Sequence, residues 1–208
     1  LDCFVIPRFA LPDFRRKEDR TVLHGVDFAL RWSEANYLAD SSQSAENMIE
    51  NLDEMWMSRW GSPWSWYIDL GGMFDSGAMI KLCRSEGSEL CATASGAHWA
   101  HGLTERHGFV LKVIIVRTLL ELRAKSVPIT RRLVGVVVRA AAREKNAMPG
   151  FDGQSASQRL IGANPRVVGI LEGDVGALSA VSEDMRSTVR ALARKHAVLA
   201  DCDKRVRA

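Results

Sequence analysis

The sequence predicts a mixed α/β fold in which three strands come first and two more alternate with helices. Strand-like apolar segments joined by short turns crowd residues 1–39. From residue 45 onward, helical periodicity alternates with two short strand-like runs. One apolar-periodic segment, from about Leu103 to Ala124, is too long to be a strand.

Leu1 to Phe9 is apolar and partly alternating, as in a half-buried strand. Ala10 to Arg20 is charged, contains Pro12 and reads as a turn. Thr21 to Trp32 and Glu34 to Ala39 follow as second and third strands, so the opening segment is an antiparallel meander. Ser41 to Ser44 supply helix-capping residues. In Ala45 to Trp60 the positions Met48, Ile49, Leu52, Met55, Trp56 and Trp60 then mark one helical face, ended by Gly61 and Pro63. Trp64 to Leu70 is a buried strand broken by Gly71-Gly72. A short helix over Gly77 to Ser85, a strand over Leu90 to Ala94 and a Gly/His/Trp-rich loop lead into the long helix. Within that helix Val113-Ile114-Ile115-Val116 has strand propensity, but length decides for helix, with Phe109, Val113 and Val116 expected to anchor it to the sheet. Pro128 closes it, Thr130 to Asn146 forms another helix, Met148 to Asn164 reads as loop, and Ser182 to Leu199 is a terminal amphipathic helix. On that last helix Arg186, Arg190 and Arg194 stack at four-residue spacing.

Hydrophobic content of 47% and charged content of 25% are ordinary for a globular chain. The longest apolar run, Leu133 to Val138, is far short of the ~18 to 20 residues of a membrane span. The first residues lack a signal-peptide pattern and start at once in strand-like sequence, which reads as a segment of a longer protein. Cys3, Cys83, Cys91 and Cys202 are far apart and form no CxxC pair, so a zinc site or a disulfide framework is not expected. Net charge is −3 over residues 1–125 and +6 over 126–208. An acidic front and basic back suit a protein that holds cations and binds a polyanion.

Three carboxylates stand where this topology brings chain segments together: Asp2 on the first strand, Asp69 at the end of the fourth, and Glu105 in the first turns of the long helix. Hard divalent cations take such oxygen ligands, and two ions held together serve phosphodiester chemistry. His98, His101 and His107 have no cysteine nearby and read as contacts or loop packing rather than a zinc cluster. Trp56, Trp60, Trp64 and Trp66 read mostly as core.

Between Asp69 and Glu105 lie 35 residues. Before Asp69 stands Trp60-Gly61-Ser62-Pro63, and after it Asp69-Leu70-Gly71-Gly72-Met73-Phe74. Around Glu105 stand His98, Trp99, Gly102, Arg106, Gly108 and Lys112, and further on Asn146, Gly153, Gln158, Gly162 and Pro165-Arg166. In these residues the chain resembles the integrase catalytic core, the D,D-35-E family, of long-terminal-repeat retrotransposons and retroviruses. The resemblance covers roughly residues 1–170. It departs from the family pattern at Leu70, Met73, His101 and Ser157.

The resemblance implies a ribonuclease-H-like fold with a five-stranded mixed sheet flanked by helices. Residues 1–127 would form the core and 128–208 a basic, mostly helical extension. It implies Asp2, Asp69 and Glu105 as catalytic residues and ligands of two Mg²⁺ or Mn²⁺ ions, with His101, Arg106 and Lys112 as nucleic-acid contacts. Leu1-Asp2-Cys3-Phe4 matches the family's first-aspartate context, with 66 residues before Asp69; Asp27, with 41, is the alternative. The activity implied is 3′-end processing and DNA strand transfer. The implied partners are element ends, target DNA and further copies of the chain, in the nucleus. A related transposase or nuclease, and an inactive domesticated integrase that only binds nucleic acid, are the alternatives.

Overall fold

In the computed structural model, strands β1 (Asp2–Val5), β2 (Thr21–Val26) and β3 (Ser33–Tyr37) form an antiparallel sheet in the order β1-β2-β3. Asp2 pairs with His24 and Val22 with Tyr37. The structure describes residues 1–14, 18–38, 45–69, 77–93, 98–150, 152–165 and 183–206. All six residues of β2 are buried, as befits a central strand covered on both faces. Strands β4 (Ser65–Asp69) and β5 (Glu89–Thr93) pair in parallel, Asp69 opposite Thr93.

The five-stranded sheet expected from sequence is therefore present as three antiparallel and two parallel strands. Leu1 N donates to Tyr67 O at 2.6 Å and joins the two sheets at that point, whereas a shared ladder needs a succession of such pairings.

Helices lie on both faces. After α1 (Ala45–Leu52) a π-helical stretch, Asp53–Met57, leads into α2 (Ser58–Trp60), which ends at Gly61 with φ 76°. Helix α3 (Gly77–Glu86) follows β4. With α1 it buries Met48, Leu52, Met55, Met79 and Cys83 against Leu23, Trp66 and Ile68. The expected caps at Ser41 to Ser44 and the Gly71-Gly72 turn lie outside the described residues.

On the other face lie α4 (His98–Ala124), α5 (Arg131–Ala147) and α7 (Glu183–Val206). Here Val22, Ala35 and Tyr37 meet Leu111, Ile114, Ile115, Leu119 and Leu122 of α4 and Val134, Val137 and Val138 of α5. The same cluster takes in Val189, Leu192 and Ala193 of α7, so one core crosses position 127. Helix α4 is a helix despite its β-branched run because these apolar positions recur at three and four residues, and all five are fully buried. Each is worth about 1.5–3 kcal/mol of burial. Phe109 does not anchor it, being 67% exposed, because it sits two positions before Leu111, off the buried stripe. A polar tie completes the α4–α7 contact: Glu121 accepts from Lys195 Nζ and meets His196 Nε2, both at 2.9 Å.

Two boundaries and one closing signal differ from expectation. Helix α4 begins at His98, so His98 to Gly102 are helical rather than loop. It ends at Ala124 as expected, and the closing signal is Ser126 rather than Pro128: a left-handed φ of 58° there lets Val127 N reach Leu122 O at 3.0 Å. The Gly- and Ser-rich stretch after α5 contains α6 (Ala156–Ile161). Ser155 and Gln158 cap it reciprocally, and Gly162 closes it at φ 75°.

Candidate functional site

Asp2 is half-buried on β1, and its Oδ1 accepts the amide of Cys3 at 2.7 Å, which orients the carboxylate. Burial, then the Asp2 charge, pushes the neighbouring Cys3 thiol up to about 12, so it stays neutral beside a carboxylate. From the Leu1–Tyr67 backbone bond, Asp2 is one residue along its strand and Asp69 two along β4. The segments carrying the two aspartates thus run from a shared point. The side chains of Asp69 and His101 lie outside the described residues.

Helix α4 crosses over β1 and β2 at Gly108. A Cβ there would lie 3.5 Å from His24 Nδ1 and 3.8 Å from Phe4 Cδ1, ordinary contact distances, so the helix packs directly on the two strands at this point. Glu105 lies one turn before that crossing and is exposed, and Lys112 one turn beyond it is half-buried. His24, which Gly108 touches, is the residue paired with Asp2 on β1. Carboxylate oxygens are the hard donors that Mg²⁺ and Mn²⁺ take, so the donor type fits such an ion. Among the described residues no three His, Cys, Asp or Glu side chains form a metal-binding group.

Asp27 has a different task. Its Oδ1 accepts the amides of Ala29 at 2.9 Å and Leu30 at 2.6 Å, holding the turn between β2 and β3. Arg106 and His107 turn toward a separate cavity that also includes Arg31, Lys145 and Arg159.

Sequence reasoning passed over a buried polar network behind the β2–β3 pair. Ser33 N donates to Asn146 Oδ1 and Asn146 Nδ2 donates to Ser33 O, both at 2.8 Å. Lys145 Nζ donates to Ser33 Oγ at 2.6 Å, and that hydroxyl lies 3.2 Å from His24 Nε2. Burial holds Lys145 down to about 7, and burial followed by the Lys145 charge holds His24 well below the usual imidazole range. The signal in the sequence was Lys145-Asn146 on the otherwise apolar face of a helix.

These shifts have a sign. An unfolded lysine keeps its proton up to about 10.5, whereas folded Lys145 releases it near 7, so the unfolded state binds more protons between those values. Stability therefore rises as pH increases through that window and is lost as pH falls toward 7. His24 acts in the same direction below 6.5. Melting temperature followed from pH 6 to 9 is expected to climb, and Lys145→Met is expected to flatten the upper part of the climb.

The tryptophans divide unevenly between core and surface. Trp66 is buried, whereas Trp60 is 42% and Trp64 92% exposed, which corrects the expectation that they are mostly core. Strand β4 starts at Ser65, which leaves Trp64 beyond the packed ladder. A second cavity of about 500 Å³ is lined by Phe28, Trp32, Trp56, Trp60, Trp66 and Tyr67, among others. Trp32 and Trp60 stand edge to face at 5.7 Å and both donate to Glu34. Burial raises the pKa of Glu144 on α5, and the charges of Arg194, Arg143 and Arg190 offset part of that rise, Arg194 and Arg190 from the arginine stripe of α7.

No protein-family model and no curated protein matches the chain. Among solved structures it is similar to a chain of the simian T-cell lymphotropic virus intasome in complex with PP2A regulatory subunit B56 gamma. There the TM-score is 0.55 at 16% identity, over 77% of this chain and 54% of that one. The likeness is one of fold, and the chain spans about half the length of that neighbour. The HTLV-2 integrase catalytic core domain in complex with magnesium (trimeric form) matches at a TM-score of 0.44 and 17% identity, over 66% of this chain and 90% of that one.

Proposed function

We propose that the chain is a ribonuclease-H-like integrase core that performs metal-dependent 3′-end processing and strand transfer on DNA. The observation that carries this reading is a convergence of elements. Asp2 and Asp69 sit one and two residues from a shared backbone bond, and α4, which carries Glu105, packs at Gly108 against the strand pair that holds Asp2. The 35-residue spacing and its flanking motifs support it, and so does a fold shared with an intasome chain.

A pair of divalent cations, when bound, would activate the attacking oxygen and stabilise the leaving one. The chain's own part is to hold and to position. Asp2, fixed by the Cys3 amide, Asp69 and Glu105 supply oxygen ligands. Exposure of Glu105 leaves its carboxylate open to a DNA strand lying across α4. Lys112, His101 and Arg106 are the proposed DNA contacts, Lys112 lying two turns beyond Glu105 on the same face. Element ends and target DNA are the proposed substrates, a homo-oligomer the working form, and the nucleus its place.

The test is a joining assay with purified protein, an end-mimicking duplex and a target plasmid in Mg²⁺ or Mn²⁺. The reading predicts covalently joined products. Cleavage without joining would instead mark a nuclease of the same fold, and DNA binding without either would mark a domesticated binding domain.

A further inference from the structure

A cavity of about 490 Å³ opens between the turn after β2, one flank of α4, the C-terminal end of α5, the loop leading to α6 and the last turns of α7. Its size suits a small ligand group. Its charge is one-sided. Arg31, Arg106, Lys145 and Arg159 line it, with His107, against Asp152 and Asp201. Asp152 is held by Arg159 at 2.6 Å, so that pair offsets itself. Arg31 and Arg106 are exposed, and among the described residues neither guanidinium has a carboxylate partner.

Two further features point inward. Lys145 is 8% exposed yet reaches the cavity wall. Its ammonium has three donors, of which Ser33 Oγ takes one at 2.6 Å and Arg31 O another at 3.3 Å, which leaves the third for a ligand. Arg31 also adopts a left-handed φ of 64°, a conformation that a residue with a side chain rarely takes. Its turn is closed by Asp27 N to Trp32 O at 2.8 Å and Arg31 N to Asp27 O at 3.0 Å. Glycine is the default residue for such a φ, and here an arginine occupies the position with its carbonyl gripped by the buried lysine.

We propose that this cavity binds a phosphate group, with Lys145 as the buried donor and the Arg31 and Arg106 guanidiniums as the clamp at its rim. Guanidiniums engage phosphate oxygens through paired N–H donors, and a desolvated ammonium adds a point charge at the base. The phosphate can come from a nucleic-acid backbone or from a free phosphomonoester. Only the first source rests on the DNA-processing reading above, and binding is read without metal and without any joining reaction.

The experiment measures thermal stability and calorimetric binding of the full chain with sodium phosphate, against sodium chloride at equal ionic strength. Wild-type protein is expected to bind phosphate saturably. Arg106→Gln and Arg31→Gly are each expected to bind it at least about tenfold more weakly, as loss of a charge-assisted hydrogen bond implies. Glycine accepts the left-handed turn, so Arg31→Gly tests the guanidinium without straining the fold. Two arms separate the sources. A DNA source predicts that both variants weaken duplex binding and reduce its salt slope by about one per arginine. A free-ligand source predicts that a nucleoside monophosphate binds wild type and loses affinity in both variants, while Arg31→Gly leaves duplex affinity unchanged. A phosphate effect equal to that of chloride, or equal in wild type and both variants, overturns the proposal.

Discussion

Glu105→Gln is expected to lower DNA strand transfer more than about 100-fold while leaving the fold intact. The magnitude follows from the role. Loss of residues that merely support a metal's ligands already costs about 10- to 100-fold, and in the proposed site glutamine would remove the charge of a ligand itself. The fold is spared because Glu105 is exposed on α4, clear of the stripe from Leu111 to Leu122 that anchors the helix. Surface changes of this kind stay within about 0.5 kcal/mol. Gel assay of joined products, with thermal melting of the same preparations, checks both halves. Wild-type transfer by the variant would remove Glu105 from the site.

Asn146→Ala is expected to be the most damaging single change to stability outside the apolar core. Asn146 is 2% exposed, and its amide satisfies both the N–H and the C=O of Ser33 on an otherwise unpaired edge of β3. Truncation leaves two buried backbone groups without partners, at about 1–3 kcal/mol each. For a chain of this length, each kcal/mol lowers the melting temperature by roughly 2–4 °C. Calorimetric melting is therefore expected to show a drop of about 5–20 °C, with DNA joining retained below the new transition. A drop under ~2 °C would mean that water or a shifted strand takes over the amide's bonds.

Asn146 also shows where sequence reading stops. It was picked out by its place in a family pattern, along with Gly153, Gln158 and Gly162, and each has a structural task. Gly153 and Gly162 adopt φ of 81° and 75°, and Gln158 closes a capping box. A motif carries positions without saying whether chemistry or backbone geometry holds them.

Much of the fold was legible because burial imposes periodicity. The stripe of α4, the alternation of β3 and the turn signal at Gly61 all follow from which side chains face a core. Joining of the two sheets was not legible, because a contact between distant strands, such as Leu1 to Tyr67, leaves no local trace in sequence. Phe109 and Trp64 misled for a related reason. Hydrophobicity alone does not tell a buried position from an exposed aromatic one step off the stripe or one residue before a strand.

The proposed site rests in sequence on three carboxylates and their spacing, carboxylate oxygen being a donor type that hard cations take. The phosphate cavity was not legible. Arg31, Arg106 and Lys145 are scattered in sequence and meet only through the β2–β3 turn, the flank of α4 and the end of α5.

Calorimetric titration of Mn²⁺ into the purified chain, in parallel with Asp69→Asn and Glu105→Gln, tests the shared-carboxylate site most directly. Wild type is expected to bind saturably and to melt higher with metal, because an ion that binds only the folded state stabilises it. Both variants are expected to lose that binding. Unchanged Mn²⁺ affinity in either variant, or no saturable binding in the wild type, would contradict the account.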